Sequence, residues 1–215
     1  MENVKLRKET AEDYRRVEEL TREAFWNHHV PGCNEHYLLH IMRNCEAFIK
    51  ELDFVAEIDG KVVANIVYAK SEIVGDSGKH YDVITFGPIS VLPEYQGKGI
   101  GGMLINHTKE IAKELEYRAI LIYGDPEYYS RFGFVEAEKY DIRTSDNMYA
   151  VPLQALELYP GALSDCAGCF FEGSMYEIDE KAAEEFDSTF PKKDKQSGLP
   201  SQERFMKLVS MRRPR

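Results

Sequence analysis

The chain has 215 residues, 43% of them hydrophobic and 30% charged, which suits one folded domain with an extension. Its formal charge of -10 argues against nucleic acid and anionic membranes as general partners. No run of about 18 apolar residues marks a transmembrane helix, and Met1-Glu2-Asn3-Val4-Lys5-Leu6-Arg7 lacks the apolar stretch of a secretion signal, so a cytoplasmic location is expected.

Val4 to Arg7 reads as a short strand. Thr10-Ala11-Glu12-Asp13 resembles a capping box with Thr10 as N-cap, ahead of a helix whose apolar face is Tyr14, Val17, Leu20, Ala24 and Phe25. A second helix is expected over Glu35 to Ile49. Phe54 to Ile58 and Val62 to Tyr68 are β-rich, and Asp59-Gly60 between them is a hairpin signal. A polar loop, Gly75 to Lys79, leads to a strand over Tyr81 to Val91, so three strands form an antiparallel meander.

After Leu92, Pro93 blocks further pairing, four glycines fall within six residues, and a helical pattern starts at Ile100. The expected inner face of this helix is Ile100, Leu104, Ile111 and Leu115, with Met103 beside it. Strand, glycine loop and helix together present unpaired backbone N–H groups and the positive end of the helix dipole to an anion. Arg118 to Tyr123 is a buried-type strand, parallel to the one before the helix. Asp125-Pro126 opens a short helix that stops near Gly133, a C′ glycine. Phe134 to Ala137 and Met148 to Leu153 are expected strands. Beyond Leu158, Ile178 to Phe186 reads as an acidic helix, Phe190 to Pro200 as a linker or mobile loop, and Ser201 to Arg215 as a short amphipathic helix. The change of character after Leu158 draws the domain at 1–158, with an extension over 159–215 expected to pack on it or cap its site.

Gly97-Lys98-Gly99-Ile100-Gly101-Gly102 matches G-x-G-x-x-G literally. A P-loop would need G-K-S/T, which is absent. A dinucleotide fold would want the strand to run directly into the loop and an acidic residue about 20 positions later. Asp125 sits near that place, but Pro93-Glu94-Tyr95-Gln96 intervenes and the upstream strands form a meander. Gln96-Gly97-Lys98-Gly99-Ile100-Gly101 also fits Q/R-x-x-G-x-G/A, and Tyr129-Ser130-Arg131-Phe132-Gly133-Phe134 fits Tyr-x-x-x-Gly-Phe. With these motifs and the order of elements, residues 1–158 resemble the GCN5-related N-acetyltransferase (GNAT) family. Phe86-Gly87-Pro88-Ile89-Ser90-Val91 and Gly124-Asp125-Pro126-Glu127-Tyr128-Tyr129 are similar to its YhbS-like bacterial branch.

The resemblance implies an α/β fold: a central, mostly antiparallel twisted sheet with a parallel splayed strand pair, flanked by helices. It implies acetyl-coenzyme A as co-substrate, with no metal. Backbone N–H groups of Gly97, Lys98, Gly99, Gly101 and Gly102, at the start of the helix that opens with Ile100, would hold the pyrophosphate, and Gln96 would shape the turn. Lys98 adds charge or is simply solvent-exposed. The backbone of Ile89, Ser90 and Val91 would pair with the pantetheine arm. Tyr129 would act as general acid toward the departing thiolate, with Tyr128 as the adjacent alternative, since one step on a helix rotates by about 100°. The family often has Asn where Asp125 stands, which leaves the contact of Asp125 to the cofactor open. Glu72, His80 and Asp82 are candidate bases, each also readable as a solvated strand-end residue.

The expected reaction is direct transfer of acetyl to a primary amine of a small molecule or a protein; the alternative is a non-catalytic acyl-coenzyme-A sensor or interaction domain. A homodimer is compatible with either. Two features stand outside these motifs. His36 and His40 share a helix face within the segment His28 to His40, which reads as surface histidines or as lining of the acceptor site. Cys166-Ala167-Gly168-Cys169 has the spacing of a metal or redox half-site, but no second pair of ligands accompanies it, so packed reduced thiols are expected.

Overall fold

Val62 to Ala69 is an unbroken buried stretch, the pattern of a strand covered on both faces, and the molecule is layered around it. The computed structural model describes residues 3–215. In chain order the elements are β1 (Lys5–Lys8), α1 (Tyr14–Phe25), α2 (Glu35–Met42), β2 (Phe54–Ile58), β3 (Lys61–Gly75), β4 (His80–Val91), α3 (Ile100–Glu114), β5 (Ala119–Tyr123), α4 (Pro126–Tyr129), β6 (Val135–Glu136), β7 (Ile142–Arg143), β8 (Met148–Ala150), β9 (Leu153–Glu157), β10 (Gly168–Phe171), α5 (Glu180–Asp187), α6 (Pro200–Ser210) and β11 (Arg212–Pro214). Among the described residues, nine strands form one sheet in the order β1-β2-β3-β4-β5-β9-β6, with β10 pairing β3 and β7; β8 and β11 form a separate pair. The sheet is mostly antiparallel, with β4 parallel to β5 and β7 parallel to β10.

Helices cover both faces. On one, α1 packs on β3 and β4, and Ser90 of β4 donates to Thr21 of α1 (2.9 Å). On the other, α3 packs on β2 and β3, and the buried Tyr68 hydroxyl meets Thr108 Oγ1 at 2.8 Å. That bond spares the Tyr68 hydroxyl the cost of burial without a partner, about 1–3 kcal/mol, while Thr108 Oγ1 also donates to Leu104 O (2.8 Å).

Several elements differ from the sequence expectation. Residues 11–13 form a turn, and α1 starts at Tyr14. The capping roles are reversed there: the Asp13 carboxylate accepts from the Thr10 backbone N–H (2.9 Å) and hydroxyl (2.8 Å) while gripping Arg7 (2.7 Å). Helix α2 ends at Met42, because residues 47–49 leave it to pair with the sheet: Lys70 N donates to Ala47 O and Ile49 N to Tyr68 O. The buried face of α3 is Ile100, Leu104, Ile105, Thr108 and Ala112, whereas Met103 and Leu115 are 40% and 41% exposed. Met148 to Leu153 is two strands, β8 and the start of β9, broken at Val151-Pro152, where proline has no N–H for a ladder. Residues 190–199 carry no helix or strand, yet they are tied down: Trp26 Nε1 and Asn27 Nδ2 both donate to Asp194 O at 3.0 Å.

Candidate active site

The parallel pair opens almost at once. Strands β4 and β5 are in register only at Ile84 and Ile120. Further along, the β3–β4 register shifts between Ile66↔Ile89 and Tyr68↔Phe86, so Gly87 and Pro88 together face Val67 as a bulge in β4. A bulge bends its strand and ends regular pairing. The gap between the diverging strand ends leads into a cavity of about 1410 Å³. Sites that enclose one drug-sized ligand span roughly 300–1,000 Å³, so this one is larger than such a ligand needs.

At one end lies the glycine loop. Gly97 (φ 73°) and Gly99 (φ 83°) are left-handed, a conformation that costs other residues energy, and Gly99 is the cap of α3. The first helical bond runs from Met103 N to Gly99 O (3.0 Å), so the amides before it have no acceptor within the helix. Gln96 Nε2 donates to Val91 O (3.0 Å), closing the turn from strand to loop. Gln96, Gly97, Gly99, Ile100, Gly101 and Gly102 line the cavity, as do Ile89 and Val91 of β4. Lys98 and Ser90 do not: Lys98 Nζ lies 4.9 Å from the Tyr95 ring centroid, and Ser90 is buried against α1.

Across the gap, Asp125 caps α4 by accepting from Glu127 N (2.9 Å). Its other oxygen is engaged by Arg204 of α6 (2.5 Å), so its side chain serves to hold two helices together. Tyr128 and Tyr129 both line the cavity but face different neighbours. A methyl on Gly101 would stand 2.9 Å from the Tyr128 hydroxyl, which puts Tyr128 beside the glycine loop. Arg131 stacks over the Tyr128 ring at 4.5 Å. Tyr129 instead packs between Phe86 (5.8 Å) and Phe134 (5.7 Å), against Gly124. Burial, with smaller contributions from Tyr128 and Asp125, pushes its phenol above the usual range, so it stays protonated at neutral pH.

The last quarter of the chain completes the walls. Strand β10 adds to the far part of β3, and Glu172 and Tyr176 just beyond it line the cavity; Tyr176 donates to Gly87 O at the bulge (3.3 Å). Helix α6 contributes Arg204, Phe205, Leu208 and Val209, and Phe205 stacks on His29 at 4.5 Å. None of these residues was singled out from the sequence. The apolar positions of α6 were the only available signal, since nothing local links residue 172 to residue 87.

The histidines divide. His28 and His29 line the cavity. His36 and His40 lie under α5, with Phe186 5.5 and 4.4 Å away. His36 is buried, its Nε2 3.1 Å from Asp187 Oδ1 without hydrogen-bond geometry, and burial lowers its pKa to about 4. Glu72 and His80 pair with each other at 2.7 Å beside the β3–β4 hairpin turn, and neither they nor Asp82 line the cavity. Cys166 is buried and Cys169 half-buried, both as free thiols; burial raises Cys166 to about 11.

Residues 50–136 match the model of the acetyltransferase (GNAT) domain. Two curated relatives from Escherichia coli K12 are similar in sequence. The uncharacterized N-acetyltransferase YjhQ is 32% identical over 39% of this chain and 45% of its own length. The uncharacterized N-acetyltransferase YhbS is 30% identical over 49% and 61%. The match thus spans about half the length of these relatives. Among solved structures, Escherichia coli YhbS in complex with CoA superposes with a TM-score of 0.73 at 24% identity, over 83% of this chain and 94% of that one. A GNAT family acetyltransferase from Brucella melitensis in complex with acetyl-CoA gives 0.65 at 27% identity, over 82% and 99%.

Proposed function

Because the chain carries a GNAT acetyltransferase domain, we propose that it transfers the acetyl group of acetyl-coenzyme A to a primary amine by direct attack. One observation carries this reading: the glycine loop at the start of α3 and the phenol of Tyr129 open onto a single cavity. The pyrophosphate binds the backbone N–H groups from Gly97 to Gly102, where the helix dipole is positive. Lys98 adds charge at the rim, and Arg131, stacked on Tyr128, reaches the phosphates from the other side. The pantetheine arm runs along Ile89, Ser90 and Val91, taking the place of the partner that β4 loses when β5 diverges.

The amine nitrogen attacks the thioester carbonyl carbon. A C–N bond forms, the C–S bond breaks, and the sulfur takes the proton of the Tyr129 hydroxyl. Tyr129 recovers a proton from the attacking nitrogen. A backbone N–H at the β4 bulge stabilises the developing oxyanion. Asp125 orients α4, which carries Tyr129, and ties it to α6.

Thermal shift with acetyl-coenzyme A and with NAD tests the ligand. Stabilisation by acetyl-coenzyme A alone is expected; stabilisation by NAD alone would overturn the reading. Thiol release from acetyl-coenzyme A over a panel of amines then tests transfer.

A further inference from the structure

We propose that Glu172 is the acceptor-side base of this transfer: its carboxylate receives the cationic amine and removes a proton before attack. The inference rests on the acetyltransferase reading above.

Glu172 comes from outside the segment that carries the glycine loop and Tyr129, and the fold brings it in. Strand β10 pairs antiparallel with β3, with Phe171 opposite Glu72. Side chains two apart on a strand share a face. Phe170 points to the side where its ring lies 6.1 Å from that of Tyr123, at the end of β5, and Glu172 follows on that side. It lines the same cavity as Tyr129, Gly87 and Pro88. Four residues later the chain is pinned to the β4 bulge by Tyr176. The carboxylate is thereby held in the cavity between Tyr123, at the end of β5, and Tyr176, which is bonded to the β4 bulge.

Its surroundings set its chemistry. Tyr123 and Tyr176 flank it closely enough for its charge to raise both phenols. The charged groups near Tyr123 on the other wall, Arg212 and Asp146, are occupied with each other at 2.6 Å. Among the described residues no cation pairs with Glu172. A half-buried carboxylate without a counter-ion, facing a cavity, is a site for a cationic ligand. Burial raises it to about 7, so it exchanges a proton in the neutral range, as a general base must. The steps balance. The ammonium gives one proton to Glu172, which passes it to solvent. The free amine attacks, and its second proton replaces the one Tyr129 gives to sulfur.

The test compares wild type, Glu172→Gln and Glu172→Asp in thiol release from acetyl-coenzyme A, with spermidine, tyramine and a lysine-containing peptide as amines, from pH 5.5 to 9. Wild-type kcat/KM for the amine is expected to rise through about pH 7. Glu172→Gln should lose that rise and about 100-fold or more of the rate at pH 8, keep its stabilisation by acetyl-coenzyme A, and be partly rescued by Asp. An unchanged rate and pH profile in Glu172→Gln would overturn this inference and leave the acetyltransferase reading standing. Failure of acetyl-coenzyme A to stabilise wild type would remove both. Independently of turnover, the carboxyl resonance assigned to Glu172 in the coenzyme-A-loaded protein should shift when spermidine is added; a resonance that stays in place overturns the inference.

Discussion

The ring of Tyr129 packs directly on Gly124: a Cβ added to Gly124 would lie 2.5 Å from ring carbon Cδ2 and nearer still to Cε2. Gly124 is thus the floor on which the proposed acid rests. Gly124→Ala should push Tyr129 out of place, at a stability cost of about 1–3 kcal/mol for overpacking, and lower kcat. Tyr129→Phe removes only the hydroxyl, so kcat should fall about 100-fold while KM for acetyl-coenzyme A holds nearly constant. Steady-state kinetics with melting curves separates the two, and a Tyr129→Phe enzyme as fast as wild type would exclude the phenol as acid.

The glycine loop makes a contrasting prediction. Nothing lies within 4 Å of a Cβ built on Gly99, so Gly99→Ala meets no clash, but its φ of 83° costs a non-glycine residue about 1 kcal/mol. The expected outcome is a small drop in Tm and a several-fold rise in KM for acetyl-coenzyme A, with kcat held. Gln96→Ala, which frees Val91 O, should act in the same direction.

Arg204 joins α6 to both Asp125 and Glu127 (2.5 and 2.7 Å) and is 60% exposed on its side chain. An exposed ion pair adds little to global stability. Arg204→Ala should therefore leave Tm almost unchanged while hastening limited proteolysis near α6, and high salt should reproduce the effect in wild type. Protection of α6 that is indifferent to both changes would show that Phe205 and its apolar neighbours hold the helix by themselves.

Glu172 also carries a stability signature. Its carboxyl ionises near the usual value of 4.5 when unfolded and at about 7 when folded. Between those values the unfolded chain binds fewer protons than the folded one, so stability falls as pH rises through this window, and the full penalty applies above 7. Glu172→Gln removes the ionisation and should raise stability at pH 8 by roughly 1–3 kcal/mol, with no gain at pH 4. Denaturant midpoints at the two pH values measure it. A variant both more stable and slower is the expected mark of a carboxylate kept for chemistry.

His36 has the opposite sign. Burial lowers it from 6.5 to about 4, so the unfolded chain gains a proton over a range where the folded one does not, and stability falls as pH drops from 6.5 toward 4. His36→Asn should flatten that part of the acid limb in urea titrations, at some cost in packing beneath α5.

The local motifs were legible because each is a contact between neighbours in sequence. The left-handed glycines, the turn closed by Gln96 onto Val91, the Asp59-Gly60 hairpin and the Asp125 cap depend on backbone conformations that a few adjacent residues dictate. The antiparallel meander of β2, β3 and β4 followed from β-rich runs and turn chemistry in the same way, whereas the places of β1, β9 and β10 in the sheet did not. Element ends were less legible: where α2 stops depends on the edge of β3 competing for residues 47–49. What only the tertiary structure decided is the far wall of the cavity. Glu172, Tyr176 and Arg204 lie 49, 89 and 79 residues from Tyr123, Gly87 and Asp125, the groups they meet. No local propensity encodes such a meeting; it is made by β10 finding the free edge of β3 and by α6 packing back over the cleft. The sequence by itself therefore determined the loop that reads as a phosphate cradle, while the packing of the last quarter of the chain decided which side chains face it across the cavity.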